Sequence, residues 1–64
     1  MQVRDVLSLL RDDGWIHVRT VGSHRQFKHP NKHGKVTVAG HPSMELNPAT
    51  LKSILRQARL TGDR

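Results

Sequence analysis

Two clusters of turn-forming residues decide what the middle of this chain can become. Gly22-Ser23 and Pro30-Asn31-Lys32-His33-Gly34 cut residues 15–39 into three short runs. Breakers of this kind end strands and open turns. Connections so short can join only antiparallel strands, because a parallel pair needs a crossover of a dozen or more residues. The three runs are therefore expected to be hairpin-linked neighbours in one antiparallel sheet.

The first run, 15–20, alternates. Ile16 and Val18 are expected on one face, His17 and Arg19 on the other. Gly22 can take positive φ in a tight hairpin turn. In the second run Phe27 is assigned to the buried face, which leaves His24, Gln26 and Lys28 on the open one. Lys35-Val36-Thr37-Val38-Ala39 is the clearest strand, with Val36 and Val38 inward.

Both flanks read as helices. Val3, Val6, Leu7 and Leu10 fall at i, i+3, i+4 and i+7, which predicts an amphipathic helix over 3–13. Gly14 follows, where a left-handed cap favours glycine. Asp12 and Asp13 oppose the helix dipole there; solvation is the only compensation visible in the sequence. After a loop over 40–46, Asn47-Pro48 marks a second start, with Asn47 as N-cap and Pro48 at the first helical position. Leu51, Ile54, Leu55 and Ala58 form its apolar stripe, and Lys52, Arg56 and Arg59 its polar side. The tail over 61–64 is expected to fray.

The order is α-β-β-β-α, an α+β domain over residues 1–60. Each helix has one apolar stripe and each strand one apolar face. Both helices are therefore expected on one side of a three-stranded antiparallel sheet. The other side would carry His17, Arg19, His24, Gln26, Lys28, Lys35 and Thr37.

A single domain of 64 residues buries only about 60% of its unfolded surface. That excludes an enclosed substrate cavity, so an active site must lie on an open surface. There is no cysteine to build a disulfide or thiolate metal site. Asp12 and Asp13 interrupt the apolar residues that follow Met1, unlike a signal peptide, and no run reaches the ~18 apolar residues of a membrane helix. A soluble, cytoplasmic protein with no membrane partner is expected. Eleven Lys and Arg against five Asp and Glu give a net charge of +6. So basic a domain points to a polyanionic or acidic partner, nucleic acid first.

Leu10, Asp13-Gly14-Trp15, Arg19, Gly22-Ser23-His24 and Phe27-Lys28-His29-Pro30 recur in a known order and spacing. They continue through Gly34-Lys35-Val36-Thr37-Val38, His41-Pro42 and Leu51-Lys52-Ser53-Ile54-Leu55-Arg56-Gln57-Ala58. In this the chain resembles HicA, the small toxin of HicA–HicB toxin–antitoxin pairs. The resemblance implies a double-stranded-RNA-binding-domain-like fold. It also implies an endoribonuclease that cuts mRNA, blocks translation and is neutralised by a HicB-like antitoxin. The histidine after Gly-Ser, here His24, would be the catalytic one.

The residues themselves suit that chemistry. RNA can be cut without a metal because its 2′-hydroxyl attacks the adjacent phosphate. An imidazole can act as base or acid at cellular pH, and nearby cations stabilise the developing charge. His24 takes the proton-transfer role, with Lys28 and Arg25 as electrostatic candidates; Arg19, Lys35, Gly22 and Ser23 complete the RNA-binding set. Lys28 shares the face of His24 by period two, whereas Arg25 would need a twist to join it. His17 is the candidate second proton carrier. Ser23 lacks partners for a nucleophilic triad. His29, His33 and His41 are read as turn and loop residues, since no cysteine or carboxylate completes a zinc set. Trp15 and Phe27, the only aromatics, are read as core anchors. The Lys52, Arg56 and Arg59 stripe is either a phosphate contact or a solvated face. No acidic pair has the placement of a two-metal site, so neither a metal nor another cofactor is expected.

A second reading, from another class, is a non-catalytic module that binds double-stranded or structured RNA by shape. Such a binder needs cations but no titratable base at His24. A third is an adaptor for an acidic protein, for which RNA would not compete.

Overall fold

The computed structural model describes residues 1–60; the tail over 61–64 lies outside the described residues. Five elements follow in order: α1 (Val3–Asp12), β1 (Ile16–Val21), β2 (His24–Lys28), β3 (Lys35–Ala39) and α2 (Pro48–Gln57). The strands form one antiparallel sheet in the order β1-β2-β3. This is the α+β arrangement expected from the hairpin spacing.

Each helix boundary has a local cause. The Asn47 side chain accepts a hydrogen bond from the Thr50 N–H at 2.9 Å, and Pro48 presets the first turn of α2. The first donors of α1 are met by the 40–46 loop: the Val3 and Arg4 N–H groups donate to the Met44 and Pro42 carbonyls, each at 2.9 Å. At its other end α1 closes in a Schellman motif. The Gly14 N–H donates to Arg11 O and the Trp15 N–H to Leu10 O, with Gly14 at φ +102°. Trp15 and Leu10, the pair that usually packs across this motif, are both buried.

Val3, Val6 and Leu10 of α1 and Ile54 and Ala58 of α2 join Phe27, Val36 and Val38 in one buried cluster with Trp15 and Leu46. Trp15 and Phe27 are thus core residues. Both helices pack against β3. The sheet's other face stays open, and β2 lies at its centre.

β1 departs from expectation. His17 pairs with Phe27 and Ile16 with Lys28, so His17 faces the helix side and Ile16 the open side. A bulge at Val18 then shifts the phase, and Arg19, opposite Gln26, returns to the open side. The physical reason is that β1 is an edge strand with no buried residue: Ile16, Val18 and Val21 are 58%, 50% and 49% exposed. Burial fixes which face of a strand is apolar, and nothing covers this one. Period two therefore located β3 correctly, and in β1 it placed Arg19 on the right face but Ile16 and His17 on the wrong ones.

Candidate nucleic-acid interface

The hairpin places His24. Gly22 and Ser23 form a two-residue loop between the paired Val21 and His24. Gly22 sits at φ +61° while Ser23 does not share the positive region, the pattern of a type II′ turn. His24 is thus the first residue of the central strand, paired with Val21 on one side and Ala39 on the other. Its backbone is held by two neighbours while its side chain is exposed.

The register defines the open face: Ile16, Arg19 and Val21 from β1, His24, Gln26 and Lys28 from β2, Lys35, Thr37 and Ala39 from β3. Arg19 lies opposite Gln26, diagonal to His24, a spacing of roughly 7–8 Å between Cα atoms that a long side chain spans easily. Lys28 is four residues along the strand, roughly 13 Å away. Lys28 and Lys35 stand directly opposite each other. Like charges so placed repel, and an anion between them would relieve the repulsion. This face therefore has a base near one end, a cation pair at the other, and Arg19 beside the base.

Two of the candidates lie elsewhere. Arg25 sits on the helix side opposite Val38, and its Nη1 donates to Gly40 O at 2.8 Å, which fastens the start of the 40–46 loop. The period-two argument against Arg25 holds, and no twist brings it round. His17 packs its ring 5.3 Å from that of Phe27, and its Nε2 lies 2.8 Å from Thr20 Oγ1. The sheet stands between His17 and His24, so the structure does not bring the two histidines together. Ser23 and Gly22 are exposed at the turn.

An open groove of about 550 Å³ runs beside His24. His24, Thr37 and Ala39 line it from the sheet, and Thr50, Ser53 and Gln57 from α2. The buried Leu46 and Ile54 close its base. Sequence reasoning missed this groove because it depends on how α2 lies against the β3 edge. The only signal was the i, i+3, i+7 spacing of Thr50, Ser53 and Gln57 on one flank of α2.

A second unforeseen cluster lies just past β2. His29 Nδ1 accepts the Asn31 and Lys32 N–H groups at 3.0 and 3.2 Å, so the ring proton is on Nε2, which donates to Asp13 O at 2.7 Å. Lys32 pairs with the Asp13 carboxylate and donates to Ala58 O at 3.0 Å. Asp13 and Ala58 are the C-caps of the two helices, so one cation serves both helix C-termini. Lys32, by hydrogen bond and by charge, holds the Asp13 carboxyl below its ordinary pKa, against the opposing effect of burial. The misplaced acid at the end of α1 thus has a partner. Among the described residues, no group of three or more His, Cys, Asp or Glu is placed to hold a metal ion. Nor is any helix long and apolar enough to cross a membrane.

The family model described as "HicA toxin of bacterial toxin-antitoxin" matches residues 3–60. No curated protein matches the chain.

Proposed function

The chain belongs to the HicA toxin family, the toxins of bacterial toxin–antitoxin pairs, and we propose that residues 1–60 form an endoribonuclease that cuts mRNA in the cytoplasm and blocks translation. The observation that carries this reading is the position of His24. It is an exposed imidazole at the head of the central strand, on the cationic face and at the edge of a groove.

His24 accepts the proton of the 2′-hydroxyl as that oxygen bonds to the adjacent phosphorus. The P–O5′ bond breaks, and the leaving oxygen takes a proton from solvent, which reaches the open site. The products are a 2′,3′-cyclic phosphate and a 5′-hydroxyl. Arg19, the open-face cation diagonal to His24, stabilises the charge gathering on the phosphoryl oxygens. Lys28 and Lys35, farther along, hold a neighbouring phosphate in their shared field. Arg25 and His17 take no part, since both face the helix side. The step draws on the RNA's own hydroxyl, the protein's side chains and a proton from solvent.

The face is open, so a partner chain can inhibit by covering it. A HicB-like antitoxin that presents carboxylates over His24 and the Lys28–Lys35 pair would shut it and be attracted to it.

The test is cleavage of a mixed mRNA by the purified protein in excess EDTA, beside His24→Ala. Cleavage that persists in EDTA and disappears in the variant supports the reading. Binding without cleavage by either protein would replace it with a non-catalytic RNA-binding module.

A further inference from the structure

The groove between the sheet and α2 has a chemistry unlike that of the face beside it. The open face carries Arg19, Lys28 and Lys35. Among the described residues, no lysine or arginine lines the groove. Its α2 wall presents the neutral side chains of Thr50, Ser53 and Gln57, and Gln57 Nε2 donates to Ser53 Oγ at 3.4 Å, so the two share one flank. Its base is apolar. The one carboxylate that lines the groove among the described residues, Glu45, pairs with the N-terminal ammonium. A phosphate would find no cation here and one acid. An uncharged, flat, hydrogen-bonding group would find amide and hydroxyl partners over an apolar base, with the exposed Met44 thioether able to lie against its face.

We propose that this groove is a subsite for one unpaired nucleobase of the RNA strand, next to the phosphate that the 2′-hydroxyl attacks beside His24, and that Ser53 and Gln57 read its edge. The inference rests on the ribonuclease reading for what happens at His24, but not for what the groove binds. The division of labour is physical. Cations on the sheet take the backbone without regard to sequence; neutral donors and acceptors in the groove take a base, which single-stranded RNA can splay out and a duplex cannot. The volume, about 550 Å³, lies within the usual range for small-ligand sites.

The test uses the double variant Ser53→Ala/Gln57→Ala. Both changes raise helix propensity on an exposed or half-buried flank, so the fold should survive; a melting curve checks it. A short 2′-O-methyl oligonucleotide lacks the attacking hydroxyl and reports binding whether or not the protein cleaves. Wild type should bind it with amide shifts at Thr50, Ser53 and Gln57, and the variant should bind about tenfold more weakly, the loss of one or two neutral hydrogen bonds. With cleavable RNA, the distribution of cleavage ends should become less selective in the variant. Equal affinity in wild type and variant, or equal binding of a fully paired duplex, overturns the subsite. If wild type binds the oligonucleotide in the groove yet cuts no RNA, the ribonuclease reading fails and the subsite stands.

Discussion

His24 and His29 stand at opposite ends of β2 and have opposite situations. His24 opens the strand, is exposed, and looks onto the groove. His29 lies one residue past the strand, with a side chain only 8% exposed and both ring nitrogens in hydrogen bonds. The difference is made by the backbone. At the head of β2 two neighbouring strands satisfy the main chain and leave the imidazole nothing to hold. At its foot the chain turns beneath the C-terminus of α1, where unpaired N–H and C=O groups need partners, and the imidazole supplies them. Among the described residues, one histidine is free of hydrogen-bonding duties and the other is tied down by them.

The comparison is sharpest as a pair of substitutions. His24→Ala should lower RNA cleavage by about 10²–10⁴-fold, the range for a lost proton-transfer group, and leave the melting temperature within about 2 °C, since surface changes are nearly neutral in stability. His29→Ala should do the reverse. It strands two backbone donors and a carbonyl and opens a gap beside Trp15, whose ring centroid lies 5.2 Å away. A loss of about 3 kcal/mol is expected, which in a domain this small lowers Tm by roughly 12–24 °C. A His29→Ala protein that melts like wild type would erase the distinction between the two histidines.

Gly14→Ala attacks the same cluster from α1. A Cβ there would sit 2.8 Å from His29 Nε2, and Gly14 holds φ +102°. Backbone strain and clash together should cost about 2 kcal/mol, read as a Tm drop without loss of cleavage per folded molecule.

How much of this was legible from the residues follows the same division. Hairpin spacing and apolar stripes determine element order, and β3 was readable to the residue because helices cover one face of it. β1 was not, because an uncovered edge strand has no burial to set its phase and the bulge at Val18 changes that phase midway. The place of His24 at the head of a strand was legible because Gly22-Ser23 is a local turn signal, whereas its proposed catalytic role leans on the family resemblance. The Asp13–His29–Lys32 cluster could not, since its members meet only when both helix C-termini converge on the β2–β3 loop. The groove likewise exists only once α2 lies along β3.

The cluster's charge pair gives a smaller effect with a defined pH sign. The folded pKa of Asp13 is lowered, so its contribution is complete above the unfolded carboxylate value of about 3.9 and is lost as pH falls through the folded one. Asp13→Asn should therefore be less stable than wild type at pH 7, by about 1 kcal/mol at most for a partly exposed pair. The gap should close as pH drops below about 4. A gap that persists at pH 2 would mean that the carboxylate charge is not what matters.

The smallest effect comes from the second helix end, which repeats the geometry of the first with a different residue. In α2 the Arg59 N–H donates to Arg56 O and the Leu60 N–H to Leu55 O, the same two bonds that close α1. Gly14 occupies the left-handed position in α1, whereas Arg59 occupies it in α2 at φ +56°. A left-handed conformation costs a residue with a Cβ about 1–2 kcal/mol, and glycine escapes that cost while losing about 0.5–1 kcal/mol of unfolded-state entropy. The two nearly cancel, so Arg59→Gly should stabilise the domain by about 0.5 kcal/mol, a Tm rise of roughly 2–4 °C. The sign is what matters: removing a cation from a helix C-terminus opposes the change, so a rise in Tm would show that backbone strain at this cap outweighs the charge.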